Sequence, residues 1–290
     1  MLAVAVAAAA LVALPAVPQG NLIRNPGAEA GQASPSGETT VPIPDWTTTS
    51  TFTVAPYGGG GAPDFFTFPP RSESQRIAGG ENFFAGGFKA GSSTASQTVD
   101  VAGATPFIDQ HLVGASLAGW LGGFLSQTDP GTVTAEFLGG SGAVLSSLTI
   151  GPVTPDERDR DLKFVQKTAT GDVPTGTRAV RVTMTGVEVD GTYDDAYFDN
   201  LSLSLAGPSL LMRVRCLGHR RVTVTAGIPA GLKGRSVTFH AAGHATTDRK
   251  PPFTTTFVRR TSSPVVAATG VVTVGLKRGA IPGRLVVHCP

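Results

Sequence analysis

Cysteine and histidine are scarce in this 290-residue chain, and the shortage excludes several kinds of chemistry. The two cysteines, Cys216 and Cys289, have no CxxC partner and no close Cys/His cluster, so they cannot build a zinc site. Up to residue 206 the one histidine is His111, on which any Ser-His-Asp triad there would depend. No Gly-x-Ser-x-Gly elbow accompanies it. Asp190, Asp194 and Asp195 are candidates for a glycosidase pair. Beside Gly191 and Tyr193 they read instead as solvated turn residues or calcium ligands. The chain therefore reads as a non-enzyme. Long helical periodicity is also missing, and past residue 16 no stretch reaches the roughly 20 apolar residues of a membrane span.

What is present is the punctuation of β structure. There are 37 Gly and 22 Pro, with charged residues at only 15%. Thr132-Val-Thr-Ala-Glu-Phe137, Arg178-Ala-Val-Arg-Val-Thr-Met184 and Asn200-Leu-Ser-Leu-Ser-Leu205 alternate apolar and polar positions at period two. Gly-rich turns such as Leu138-Gly-Gly-Ser-Gly-Ala143 separate such runs. The fold class expected is all-β, a jelly-roll β-sandwich followed by a smaller β-sandwich.

Residues 1–20 stand apart. Met1 to Ala16 is almost wholly apolar and ends in small residues, the pattern of a secretory signal peptide. No Lys or Arg precedes the apolar run, so a start upstream of Met1 is expected. Export places the protein outside the cell or on its surface, without a membrane span.

The net charge of +2 conceals two oppositely charged parts. Residues 1–206 hold ten basic against twenty acidic side chains, and 207–290 hold thirteen basic against one acid, Asp248. Ala206-Gly207-Pro208-Ser209 reads as the linker, giving domains at 21–206 and 207–290. In the second, Leu211–Cys216, Arg221–Thr225, Arg235–His240, Gly270–Leu276 and Gly283–Cys289 read as strands. Size and strand pattern suggest an immunoglobulin-like sandwich, although both Trp residues lie in the first domain. In an oxidising compartment Cys216 and Cys289 would form a disulfide, with two buried thiols as the alternative. In the chain-entropy model that disulfide is worth about 4–5 kcal/mol. The basic surface suits an anionic polymer, such as a wall polymer or acidic polysaccharide, or docking onto the acidic domain. Few aromatics interleave its basic pairs, which disfavours nucleic acid. Asp156-Glu-Arg-Asp-Arg-Asp161 reads as an exposed loop of self-cancelling charge.

Two further stretches carry the most information. Asn21-Leu-Ile-Arg-Asn-Pro-Gly-Ala-Glu-Ala-Gly31 reads as an opening strand that breaks into a Pro-Gly turn with Glu29 just beyond it. Asp194-Asp-Ala-Tyr-Phe-Asp-Asn-Leu-Ser-Leu-Ser-Leu205 reads as a closing strand entered through Asp199. If the strands lie side by side, Glu29 and Asp199 can face each other. Two carboxylates in contact repel, so the pair makes sense around a cation.

The opening motif, with Tyr193-Asp-Asp-Ala-Tyr-Phe-Asp-Asn-Leu-Ser-Leu203, resembles the galactose-binding-domain-like jelly rolls. These include many carbohydrate-binding modules of secreted bacterial proteins. Asn82-Phe-Phe-Ala-Gly-Gly87 and Gly119-Trp-Leu-Gly-Gly-Phe124 are similar to a version found in exported actinobacterial proteins. The resemblance covers about residues 21–205. It implies a structural calcium tying the first strand to the last, held by the Glu29 carboxylate, a backbone carbonyl at Gly31 or a neighbour, and the Asp199 carboxylate. It also implies sugar rings stacking on aromatic faces, with amides or carboxylates taking the hydroxyls. The candidates are Trp46, Tyr57, Trp120 and Phe124, with Gln127 and Asp129 as polar partners. Trp120, in Leu117-Ala-Gly-Trp-Leu121, equally suits a core, and Trp46 could cap the sandwich. The expected function is non-catalytic binding of carbohydrate or cell-wall glycan. A structural or adhesive surface protein without a sugar site is the alternative, and a hydrolase the third reading.

Overall fold

The computed structural model describes residues 17–60, 67–208, 211–217, 221–227, 234–241, 244–250, 253–258, 265–274 and 277–288. The leader-like Met1–Ala16 lies outside them. Val17–Gly207 forms one compact unit, and another begins at Pro208.

The first unit runs β1 (Thr47–Thr49), β2 (Thr53–Pro56), α1 (Arg71–Ile77), β3 (Asn82–Phe88), β4 (Ser92–Asp100), α2 (Thr105–Ile108), β5 (Gly114–Gly122), β6 (Gly131–Gly139), β7 (Val144–Ile150), β8 (Phe164–Asp172), β9 (Thr177–Val187) and β10 (Tyr193–Ala206). Its strands make two five-stranded antiparallel sheets. Sheet I has the order β1-β4-β9-β6-β7, and sheet II the order β2-β3-β10-β5-β8. This is an all-β, jelly-roll-like sandwich.

Period-two alternation decides which side chains enter the space between the sheets. From β6, Val133, Ala135 and Phe137 point inward, while Thr132, Thr134 and Glu136 point out. From β9, Val180, Val182 and Met184 join them, and from β10 Leu201, Leu203 and Leu205. Phe52 stacks on Phe198 at 6.1 Å and lies 6.4 Å from Phe84, while Trp46 meets Phe84 edge-on at 5.6 Å.

Sheet II buries its outer face as well. Phe83 and Phe84 are successive residues of β3, so they point to opposite faces, yet both are fully buried. Phe83, Ala85, Phe164 and Tyr197 form a second core beneath a covering segment that supplies Tyr57, Phe68 and Ile77. Phe83 lies 5.0 Å from Tyr197 and 5.4 Å from Phe68. Helix α1, at seven residues, is too short to persist alone. It is fixed by Ile77 in this core and by Glu73, whose carboxylate accepts hydrogen bonds from Arg76 and from Phe164 N.

The outer face of sheet I carries hydroxyls in register. One row crosses all five strands as Thr149, Thr134, Thr183, Ser96 and Thr47, and the next crosses four as Thr132, Thr185, Thr94 and Thr49. Thr is β-branched and suits an exposed strand position, which accounts for its choice here.

The second unit contains β11 (Leu211–Leu217), β12 (Arg221–Gly227), β13 (Gly234–Ala241), β14 (His244–Asp248), β15 (Phe253–Val258), β16 (Val265–Val274) and β17 (Lys277–His288). They pair antiparallel as β11-β12-β15 and β14-β13-β16-β17. Val222, Val224, Val237, Phe239, Phe253 and Phe257 are buried, and Thr223 and Thr225 face Thr256 and Thr254 on the outside. The strands β14 and β15 have no counterpart in the sequence reading. The pairing of Cys216 with Cys289 lies outside the described residues.

Candidate functional site

The opening segment runs beside the second half of β10. Leu22 N donates to Leu203 O at 2.8 Å, and Leu201 N to Pro26 O at 2.9 Å. The Asn21 side chain bridges the same strand, donating to Leu201 O and accepting from Leu203 N. The chain then turns sharply, with Asn25 and Ala28 both at positive φ, +45° and +61°. The Asn25 carboxamide stabilises this turn by accepting from Ala30 N at 2.9 Å.

The turn delivers Glu29 to the start of β3, where Oε1 accepts from Glu81 N at 3.0 Å and Asn82 N at 2.9 Å. Asp199 lies nearby on β10 and is fully buried. Its Oδ2 accepts from the Tyr57 hydroxyl at 2.5 Å and its Oδ1 from Asn200 N at 2.6 Å. Burial pushes its pKa up to about 8, against those two hydrogen bonds, and the negative charge of Glu29 adds to the rise.

Glycines wall the two carboxylates. A Cβ at Gly79 would lie 2.3 Å from Asp199 Oδ2, and one at Gly80 2.6 Å from the Glu29 carboxyl carbon. A Cβ at Gly27 would lie 3.1 Å from Asp199 Oδ1. Gly31, expected among the cation ligands, sits at φ +98° against the Pro44 ring, where a Cβ would be 2.8 Å from Pro44 Cδ. The sequence reading did not include Gly27, Gly79 or Gly80.

Asp199 has Trp120 of β5 as its cross-strand partner, and Trp120 has Gln166 of β8. Partners directly opposite share a face, so these three form a row on the outer side of sheet II. Two further rows follow, Ser202–Ala118–Thr168 and Ser204–Ser116–Thr170. All six are half-buried or exposed. Trp120 is half-buried against the second core, and the Arg76 guanidinium lies over its ring at 5.0 Å. Arg76 is itself held by Glu73 and by Phe164 O. The result is an uncharged hydroxyl and amide surface with an indole and a guanidinium at one end.

The other expected aromatic platforms are not exposed. Trp46 is 8% exposed, with its ring edge-on to Phe84 and its Nε1 donating to Asn25 O at 3.1 Å. Tyr57 is 2% exposed, within the second core. Stacking at these two positions is therefore corrected to a packing role. Phe124 is half-buried on the loop after β5.

Gln127 and Asp129 are drawn together at a separate place, where β10 begins. Asp129 is buried and accepts from Val189 N, Asp190 N and Asp195 N at 2.7–3.0 Å. Gln127 O accepts from Arg158 Nη2 at 2.8 Å, and the Gln127 Oε1 atom is buried with no hydrogen-bond partner. Arg158 overturns the reading of its charge run as a wholly exposed loop. It is 2% exposed, and its guanidinium also donates to Leu125 O and Asp161 O. Asp194 and Asp195 are likewise buried, at 0% and 1% exposure, not solvated turn residues. Among the described residues no group of three or more His, Cys, Asp or Glu is arranged to hold a metal ion. No described helix is long and apolar enough to cross a membrane.

No protein-family model and no curated protein matches the chain. Among solved structures it is similar to the enzymatically active domain of tailspike protein 4 of bacteriophage CBA120, with 16% identity and a TM-score of 0.36. That match covers 64% of this chain and 21% of the other, so this chain spans about a fifth of the tailspike domain's length. It is also similar to the CBM22-1 xylan-binding domain of Paenibacillus barcinonensis Xyn10C, with 14% identity, 59% and 92% coverage and a TM-score of 0.31. A third likeness is to the adhesin domain of Epf from Streptococcus pyogenes, with 9% identity, 71% and 75% coverage and a TM-score of 0.27.

Proposed function

We propose that this is a non-catalytic, exported binding protein that recognises carbohydrate on the outer face of sheet II. The observation that carries the reading is the accessible Trp120–Gln166 pair of β5 and β8, continued by two rows of small and hydroxyl side chains. A half-buried indole offers apolar contact to the CH face of a pyranose, and Thr, Ser and Gln side chains exchange hydrogen bonds with its hydroxyls. Nothing in the arrangement supplies a nucleophile beside a base.

Glu29 and Asp199 fit a structural calcium ion. They are two hard oxygen donors in one glycine-walled place, and burial with the neighbouring charge of Glu29 raises the pKa of Asp199. Bound there, calcium would tie the opening segment and the start of β3 to β10. The basic unit from Pro208 adds an electrostatic attraction for anionic polymers, and among its described residues seven strands in sheets of three and four suit an immunoglobulin-like sandwich.

A structural or adhesive role without a sugar site is the second reading. The burial of Trp46 and Tyr57 favours it, since both were candidate platforms.

A glycan array probed with the full chain, in calcium and in EDTA, separates the two. A glycan signal lost in both Trp120→Ala and Gln166→Ala supports the first reading. Silence from a folded protein in both conditions rejects it in favour of the second.

A further inference from the structure

Arg76 stands over Trp120 with part of its hydrogen-bonding capacity unused. A guanidinium carries five N–H donors in one plane. Three of them are committed. Nε donates to Glu73 Oε2 at 2.8 Å, and Nη2 donates to Glu73 Oε1 at 2.5 Å and to Phe164 O at 2.6 Å. The pair on Nη1 has no acceptor among the described residues, and the Arg76 side chain is 46% exposed.

The guanidinium is held in place. Glu73 is 6% exposed and also accepts from Phe164 N, so Glu73 and Arg76 together bond both the N–H and the carbonyl of Phe164. Phe164 opens β8, and Gln166, two residues on, is exposed opposite Trp120. The Nη1 donors therefore stand where the indole and the exposed amide meet, with Arg76 Cζ 5.0 Å from the ring centroid. A donor fixed in advance gives up little freedom when it binds. The acid bonded to it, Glu73, is already spent on Arg76 and Phe164 N. The exposed acid at the far end of β8, Asp172, is six residues from Gln166, about 20 Å along the strand.

We propose that the Trp120 end of this face selects a uronic-acid unit, whose carboxylate accepts from Arg76 Nη1 while its ring lies against Trp120 and its hydroxyls meet Gln166. The inference rests on the sugar-binding reading and adds the substrate class to it. An ionised acceptor forms a hydrogen bond with a charged donor that is shorter and roughly twice as strong as one between neutral groups. The rows beyond, Ser202–Ala118–Thr168 and Ser204–Ser116–Thr170, carry no charge. The face thus fits a glycan with an acidic unit at the Trp120 end and neutral units along the hydroxyl rows.

An array of short oligosaccharides, each uronic-acid glycan printed beside its carboxyl-reduced neutral counterpart, tests this on the full chain. The expected result is at least about a ten-fold preference for the acidic member of the bound pair. That preference should vanish in Arg76→Gln and shrink in Arg76→Lys, which keeps the charge and loses the fork. A folded protein that binds neutral and acidic members equally overturns the inference and leaves the sugar-binding reading standing. Silence on every glycan overturns both. A preference that persists in a folded Arg76→Gln protein also overturns it, because the basic unit from Pro208 would then be drawing the acid. Should the Arg76 variants fail to fold, tryptophan emission decides. Both Trp residues precede Pro208, and Trp46 is buried. A saturable change in emission with the acidic oligosaccharide, absent with its reduced counterpart and lost in Trp120→Phe, supports the site. Emission that does not respond to the acidic oligosaccharide overturns it.

Discussion

The Tyr57 hydroxyl and the Asp199 carboxylate, 142 positions apart, share a 2.5 Å hydrogen bond that neither residue exposes to solvent. The bond joins the covering segment of sheet II to β10. Tyr57→Phe keeps the ring packing and removes the donor, which leaves a buried carboxylate oxygen without it. The expected cost is about 1–3 kcal/mol of unfolding free energy. Urea unfolding of the two proteins at pH 7 measures it, and an unchanged midpoint would contradict the role given to the bond.

Stability should fall as the medium turns from acid to neutral. Asp194 and Asp195 have folded-state pKa values of about 7 and 8, above the ordinary 3.8. The folded state then holds more protons than the unfolded one between about pH 4 and pH 8, so unfolding free energy decreases across that window and flattens above it. Urea midpoints at pH 5 and pH 8 should differ in that direction. The Asp194→Asn, Asp195→Asn double variant should narrow the difference.

Calcium should raise the melting temperature of the wild-type protein relative to EDTA. In Glu29→Gln the difference should shrink or vanish, because the amide keeps an oxygen but loses the charge that draws the ion. Equal melting temperatures for the wild type with calcium and with EDTA would remove the ion from the account.

Gly79→Ala should disturb the carboxylate pair without touching the core between the sheets. Its Cβ would meet Asp199 Oδ2 at 2.3 Å and the Tyr57 hydroxyl at 2.8 Å. Overpacking of this kind costs about 1–3 kcal/mol. Gly91→Ala is the control for handling: there a Cβ meets nothing within 4 Å, although φ is +60°. A smaller loss at Gly79 than at Gly91 would show that the pair can move aside.

Arg76→Ala should weaken binding at the outer face of sheet II and the domain itself. It uncovers Trp120 and leaves Glu73, 6% exposed, without its cation. Arg76→Lys keeps a charge but loses the fork that donates to Glu73 and Phe164 O together. Calorimetry and glycan binding on both variants separate support of the ring from support of the fold.

The sandwich was legible where one face of a strand is wet. β6 alternates cleanly, and the Leu138–Ala143 turn lies where its Gly-rich sequence suggests, between β6 and β7. The turn after the opening segment was legible, and it carries Glu29 to the start of β3. The second core was not. Its strands are apolar on both faces, so Phe83 and Phe84 carry no period, and the cover comes from a stretch in which Gly58 and Gly59 suggest only a loop. Arg158 was hidden for a related reason. A run of alternating charges looks solvated, and only the three-dimensional position of the Leu125 and Gln127 carbonyls draws one member inside. The signal that could have found Asp194 was Gly86 and Gly186, but their sequence separation conceals that both face one carboxyl.

The hydroxyl rows of sheet I make that side of the sandwich a handle. They lie on the opposite side of the domain from Trp120, and on the edge strand β7 Thr149, which ends one row, and Ser147 are exposed. A single cysteine introduced at either position would fix the domain to a sensor surface in one orientation, with the Trp120 face turned toward the analyte.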